Sequence, residues 1–332
     1  MTLEQVAKRA RVSTATVSRV LNDVGVVKET TKKRVLQALT DLNYYPNLHA
    51  RTLAGGISRT VGVIVSNVSN PFFIDVFRAL DSAARESGYE VLVEHTDYSV
   101  DQLMAGVESL LSNRVSGLAI VVSEMAPPVL AKVQASKLPV VFYDVGVPGD
   151  NTTNIRVRYE LGMRRVVQYL YLLGHRRMAF VGHHDGLSPL QVRKAAFVET
   201  VSQYGAEVDN TVAVSVDTPA GGANAARELL TSSFRPTAIV CVNDYMAIGV
   251  LREVRRQGLS VPDDICVTGF DNIELSEFTY PALTTVNIPR AKIGKLAFEA
   301  IMSAKEAPQA AREILLDPEL VVRDSTGPAR ER

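Results

Sequence analysis

The most legible chemistry in the chain lies in ten residues, where Ser13, Thr14, Ala15, Thr16, Ser18, Arg19 and Asn22 surround an apolar set of Val17, Val20 and Leu21. That spacing is one of an amphipathic helix, with Ser13 or Thr14 placed to cap it. Short side chains at Thr14 and Ala15 let such a helix approach the edges of stacked bases. Arg19 and Asn22 are long enough to bond those edges, and the hydroxyls can bond phosphate oxygens. This is what a recognition helix in a major groove requires. The plainer alternative is an ordinary αα-hairpin with a polar surface.

Other chemistries find less support. The sequence has no Gly-x-x-x-x-Gly-Lys-Ser/Thr, His-Glu-x-x-His or Gly-x-Ser-x-Gly run, and its glycines after apolar strands form no dinucleotide fingerprint. His183-His184-Asp185 could suggest a metal site, but adjacent ligands on one loop read more simply as a solvated turn. No catalytic residue, metal or cofactor is expected, and an enzyme is the second hypothesis. A third is a ligand-binding protein of the periplasmic type, which would need an export signal.

The elements that must hold the candidate helix follow from the flanking pattern. Leu3, Val6, Ala7 and Ala10 form the apolar face of a preceding helix, with Thr2 as its cap. After a loop at residues 23–29, a third helix runs from Thr30 or Thr31 through Val35, Leu36, Leu39 and Leu42. Tyr44, Tyr45 and Pro46 end it, because the residue before proline avoids helical dihedrals. Asn47 can cap a further short helix, which Gly55-Gly56 stops; as a lone helix it would be marginal in water.

The 332 residues, 46% hydrophobic and 22% charged, are enough for two or three globular domains. A net charge of zero conceals an asymmetry. Residues 1–59 hold ten Lys or Arg against four acids, so the head is basic and the remainder correspondingly acidic. A basic head on an acidic body suits phosphate binding by the head alone. No apolar run approaches a membrane span, and the polar N-terminus lacks a signal peptide's apolar centre, so a cytoplasmic protein is expected. Cys241 and Cys266 sit in apolar strand-like runs and read as buried free thiols.

From Val61 onward, apolar strands alternate with helices, the pattern of parallel α/β sheets. The strand candidates are residues 61–66, 90–95, 117–122, 140–144, 178–181, 212–216, 238–242 and 265–269. Helical stretches lie at 72–86, 102–113, 162–173, 190–203, 222–231 and 245–257. Eight strands are too many for one comfortable open sheet, and a break near residues 150–158 divides them into two lobes. Two facing lobes would present loops from strand C-termini across a cleft, where such sheets bind ligands.

The run Val6-Ala7, Val12-Ser13, Thr16-Val17-Ser18-Arg19-Val20-Leu21-Asn22, with Leu42-Asn43-Tyr44 and Tyr45-Pro46-Asn47, resembles the headpiece of the lactose/purine repressor family, the LacI/GalR regulators. The resemblance continues to about residue 323. It implies an all-α helix-turn-helix headpiece over 1–46, a hinge helix and linker over 47–59, and a two-lobed α/β domain with parallel sheets, like a periplasmic binding protein, over 60–324. Lobe 1 would be residues 60–157 and 288–317, and lobe 2 residues 158–287 and 318–324. The polar tail 325–332 is expected to be disordered. The resemblance also implies a homodimeric transcription regulator, most simply a repressor, that binds a pseudo-palindromic double-stranded DNA operator and responds to a small-molecule effector, with no membrane partner. In the hinge, Asn47 and His49 would face DNA. Ala50 would be small where two hinge helices touch, and Leu53 would wedge between base pairs of the minor groove.

For the effector, the resemblance implies Asn70, Phe72 and Phe73 in lobe 1, Asp144 at the end of the fourth strand, Arg193 in Arg193-Lys194-Ala195-Ala196-Phe197, and Asn243 and Asp271 in lobe 2. Two departures stand out. Val157-Arg158-Tyr159 replaces a Val-Asp-Asn, and Asp217 falls where the family often supplies an aromatic ring. An effector carrying a carboxylate or phosphate, such as a sugar acid or sugar phosphate held by Arg158 and Arg193, would suit this exchange; a neutral sugar is the alternative. Arg158 could instead pair with an acid at a subunit interface.

Overall fold

The computed structural model describes residues 2–21, 27–44, 58–146, 149–184, 187–307 and 310–330. The chain divides into two compact units, residues 1–58 and 59–332.

The smaller unit contains α1 (Leu3–Ala10), α2 (Thr14–Leu21) and α3 (Glu29–Asp41). Thr2 and Gln5 close a capping box on α1, each side chain meeting the other's backbone N–H. Arg11, at φ 55°, then turns the chain sharply. Ser13 Oγ accepts from Thr16 N–H at 3.2 Å, which starts α2. Val6, Ala7, Ala10, Val17, Val20, Val35 and Ala38 form the buried core, with Leu3, Leu21, Leu39 and Leu42 packed around it. Two details of α3 differ from the sequence reading. It begins at Glu29, with Lys28 as a cap that offers no side-chain bond, and Leu36 is about half exposed while Ala38 takes the core position.

The larger unit carries two parallel sheets. The first has six strands in the order β11-β5-β4-β3-β1-β2, where β1 is Thr60–Val65, β2 Glu90–His95, β3 Leu118–Val121, β4 Val140–Tyr143, β5 Thr152–Val157 and β11 Arg312–Leu316. The second has the order β7-β6-β8-β9, from Arg177–His183 (β6), Asp209–Ser215 (β7), Ala238–Cys241 (β8) and Cys266–Thr268 (β9). Between them, β10 (Thr285–Asn287) and β12 (Glu319–Val321) pair antiparallel where the chain crosses over. The segment 150–158 is not a break, as expected from sequence, but strand β5 inside the first sheet. Its Thr152 and Thr153 weaken the apolar signal, although both are buried.

Helices connect and cover these strands. Those that matter for the site are α4 (Pro71–Glu86), α5 (Val100–Ser112), α7 (Tyr159–Leu172), α8 (Ser188–Ser202), α9 (Pro219–Thr231), α10 (Asp244–Arg256) and α12 (Arg290–Glu306); α6 (Pro127–Ala135) and the short α11 (Leu275–Phe278) complete the set. The late helix α12 lies against α4, and a Cβ at Gly294 would stand 2.3 Å from the Val76 carbonyl oxygen. Only glycine permits that approach.

Residues 325–330, expected to be disordered, are packed. Ser325 is fully buried, donating to the Val267 carbonyl at 2.6 Å and accepting from Thr284 N–H at 2.8 Å. Gly327 O meets His175 Nε2 at 3.1 Å, and Arg330 pairs with Asp263 at 2.7 Å. A polar composition misleads here because the partners lie on distant elements. Both cysteines are buried and free.

Candidate functional site

In the smaller unit, α2 divides as its periodicity predicts. Val17 and Val20 are buried, whereas Ser13, Thr14, Ala15 and Arg19 are exposed and Thr16 and Ser18 half-exposed. Thr16 and Ser13 hydroxyls lie 2.9 Å apart, so one donates to the other and the second keeps its proton for an acceptor elsewhere. Arg9 and Gln37 both bond Asp41, at 2.6 and 2.8 Å, bracing α1 against α3 behind the exposed face. Arg19 makes no ion pair among the described residues and remains available. Asn22, Asn47, His49, Ala50 and Leu53 lie outside the described residues.

The larger unit gathers a second set of residues at the C-terminal ends of its strands. Strand order reverses between β1 and β3 in the first sheet and between β6 and β8 in the second, the position at which doubly wound sheets open a crevice. Asn70, Phe72 and Phe73 follow β1, Tyr98 follows β2, Ser123 follows β3 and Tyr143 ends β4. From the other side come Pro189, Leu190 and Arg193 on α8, Asp217 after β7, Asn243 after β8 and Asp271 after β9. With Tyr159 they line one narrow cavity of only ≈ 20 Å³, room for about one water and far below the size of a small-metabolite pocket, so a ligand must part its walls to enter.

The polar groups of this cavity are tightly arranged. Asn70 caps α4 by accepting from Phe72 N–H, and Asn243 caps α10 by accepting from Met246 N–H. Arg193 is buried with its guanidinium against two adjoining rings, 4.4 Å from the Tyr159 centroid and 4.5 Å from that of Phe270. It donates to the Val242 carbonyl at 2.8 Å and stands 3.1 Å from Asp271 Oδ1. Burial alone would favour its neutral form, but the Asp271 charge together with Tyr159 and Tyr143 outweighs this and raises its pKa. Burial lifts Asp271 to about 6 even with Arg193 and Arg290 opposing the shift. Among the described residues, Arg193 Nε and Asp271 Oδ1 are buried and have no hydrogen-bond partner, Asp271 Oδ1 having only its 3.1 Å ion pair with Arg193. Such groups cost free energy unless something bonds them.

Two expected effector residues stand elsewhere. Arg158 is outside the cavity, half-exposed, with a bidentate pair to Asp317 at 2.5 and 2.6 Å. Its partner is thus an acid of the same chain at the end of β11. Asp144 lies behind the wall: it accepts from Val157 N–H at 3.0 Å and from the Tyr159 hydroxyl at 2.5 Å, while Tyr143 and Tyr159 hydroxyls meet at 2.7 Å. Asp144 therefore holds the ring that Arg193 stacks on, and burial pushes it up to about 6. The sequence reading missed Tyr98, Ser123, Tyr143 and Tyr159 as lining residues. The available signal was position, since each is at or just beyond a strand's C-terminal end or at the first turn of a helix.

Among the described residues, no cluster of three or more His, Cys, Asp or Glu could hold a metal ion, and no helix is long and apolar enough to cross a membrane. His183 Nδ1 faces its neighbour's carbonyl, 2.7 Å from His184 O.

A three-helix head with an exposed small-residue helix, and a two-lobed body with a buried polar cavity, define a ligand-responsive DNA-binding regulator. The comparisons agree. Residues 2–47 match the model for bacterial regulatory proteins of the lacI family, and residues 167–326 that of a periplasmic binding protein-like domain. The chain is 33% identical to the HTH-type transcriptional repressor PurR of Photobacterium profundum over 98% of both chains. It is 31% identical to the HTH-type transcriptional repressor CytR of Escherichia coli, over 98% of this chain and 96% of that one. A lac repressor dimer solved with operator and the anti-inducer ONPF superposes with a TM-score of 0.85 at 28% identity, covering 98% of this chain and 99% of that one. The chain belongs to the lacI family of bacterial regulatory proteins. It is a DNA-binding transcriptional regulator with an effector-binding domain, and not an enzyme.

Proposed function

We propose that the protein is a cytoplasmic repressor that binds a two-fold operator as a homodimer and is controlled by a small polyhydroxylated effector, a sugar or nucleoside, in the cavity between the lobes. In the head, Thr14, Ala15 and Arg19, together with Asn22, read base edges, and Ser13, Thr16 and Ser18 bond phosphates. Asn47, His49, Ala50 and Leu53 form the hinge contact, with Leu53 as the wedge. Phosphate contacts from the basic head supply salt-dependent affinity.

The observation that carries the effector reading is the pair of orphaned atoms, Arg193 Nε and Asp271 Oδ1, buried in an aromatic-walled cavity. A ligand offering both a donor and an acceptor satisfies both at once. The rings of Phe72, Phe73, Tyr98, Tyr143 and Tyr159 favour an apolar ligand face. Charge favours a neutral ligand over an anion. Arg193 is the one cation among the described lining residues, Asp271 already compensates it, and Asp217 adds a further acid. Arg158, occupied by Asp317, does not help to hold an anion.

A thermal-shift panel of neutral sugars, nucleosides, sugar acids and sugar phosphates tests this on the full chain. The expected outcome is stabilisation by neutral members that Arg193→Met abolishes and Arg158→Ala leaves intact. Stabilisation by phosphates alone, lost in Arg158→Ala, would overturn it.

A further inference from the structure

We propose that Tyr98 and Asp217 form a latch that closes the effector cleft with the protein's own side chains. Asp217 was singled out in the sequence because an acid stands where an aromatic ring was expected, and the ring is instead supplied from the opposite lobe. Tyr98 belongs to the loop between β2 and α5 of the first sheet, and Asp217 to the loop between β7 and α9 of the second. The Tyr98 hydroxyl donates to Asp217 Oδ2 at 2.5 Å. The other carboxylate oxygen accepts from Asn243 Nδ2 at 2.7 Å, fixing the acid from its own side.

Both ends of the latch are braced. Asp97 and Tyr98 adopt φ of 46° and 63°, a left-handed turn that an L-residue adopts at some cost, and it aims the phenol across the cleft. The Tyr98 ring packs edge-on against Phe73, with centroids 6.5 Å apart, and lies 6.0 Å from His183 of the second lobe. Asp217 is buried and follows a strand whose loop is tied by the Thr218 cap on Gly221 N–H at 3.0 Å. A phenol on a carboxylate is a charge-assisted bond, stronger than a neutral one. It ties two lining residues of the cavity that belong to opposite lobes, so a ligand that parts the lobes must open it. The latch rests only on these contacts, so it stands or falls independently of what the effector is.

Hydrogen exchange read by mass spectrometry on the full chain, with no ligand added, tests the latch through Tyr98→Phe, Asp217→Asn and the double variant. Tyr98→Phe keeps the ring packing on Phe73, and Asp217→Asn keeps the side-chain shape. Each single variant is expected to speed exchange several-fold in both segments 96–103 and 216–222, which lie on opposite lobes. The double variant should exchange no faster than Tyr98→Phe, since that substitution already removes the one bond that Asp217→Asn weakens by taking away its charge. Acceleration confined to the mutated segment, or effects that multiply in the double variant, would overturn the latch. Peptides from β1 and β8 serve as the internal standard for folding. If Asp217→Asn also accelerates these, the same two-lobe criterion is applied to Tyr98→Phe alone.

Discussion

Asp244 gives a direct test of how the second lobe holds Asp271 in place. Its carboxylate is fully buried, accepting from Ile273 N–H at 2.8 Å and from the Thr285 hydroxyl at 2.5 Å. Burial, and then the neighbouring Asp271 charge, push it up to about 8. In an unfolded chain an aspartate titrates near ~3.9. Between those values the folded chain keeps a proton that the unfolded chain releases. Stability from this group is therefore greatest at the acid end, falls as pH rises, and levels off above about 8. One proton gives a slope of at most ~1.4 kcal/mol per pH unit, a tenfold change in the folding constant. Asp144 and Asp271, both at about 6, have largely released their protons by neutral pH, whereas Asp244 still holds its own. Asp244→Asn removes that titration while keeping an oxygen for Ile273 N–H. Urea unfolding followed by far-UV circular dichroism, at about pH 6.5 and about pH 7.5, measures the effect. Over that interval wild type should lose roughly 1 kcal/mol more stability than the variant. Parallel pH profiles for the two proteins would refute the buried-acid reasoning.

Three further outcomes are expected. Ser325→Ala should destabilise the larger unit by about 1–3 kcal/mol, because Thr284 N–H loses its partner in a buried position; a chemical denaturation curve unchanged by the substitution would contradict the packed tail. Arg158→Ala should cost no more than about 1 kcal/mol, since both Arg158 and Asp317 are about half exposed, and the same denaturation measurement checks it. Arg19→Ala should relax base preference by roughly 1–3 kcal/mol at one position of each half-site, read from competition binding against a randomised operator library; an unaltered preference would remove Arg19 from the base-reading set.

The sequence conveyed most where one periodicity governed a whole element. The alternation of apolar strands and helices located all eight of the expected strands to within a few residues, because buried parallel strands are nearly continuous apolar runs. It failed at β5, where Thr152, Thr153 and Asn154 interrupt such a run although all three pair with β4, and Thr153 and Asn154 with β11 as well. The site divided along similar lines. Asn70, Phe72, Phe73, Arg193, Asn243 and Asp271 follow strands that the pattern located, and they line the cavity. Arg158 was misjudged because its partner Asp317 lies 159 residues away, and nothing local announces the pair. Asp144 was assigned to the ligand when it bonds the back of Tyr159. From sequence, a polar residue at a strand end has the same appearance whether it meets a ligand or supports a neighbour that does.

That distinction bears on how an effector could act. A ligand shifts a conformational equilibrium only by its difference in affinity for the two states. A cleft already closed by Tyr98 on Asp217 leaves little closure for a ligand to drive, so a ligand that must break that bond favours the open arrangement unless its own bonds to Arg193 and Asp271 exceed the loss. The sign of regulation thus depends on a comparison between one charge-assisted bond and two orphaned atoms. Weakening the latch by Tyr98→Phe removes one side of the comparison without touching the other. It should tighten effector binding and, because coupling between sites is reciprocal, alter operator affinity in the direction opposite to a change that strengthens closure.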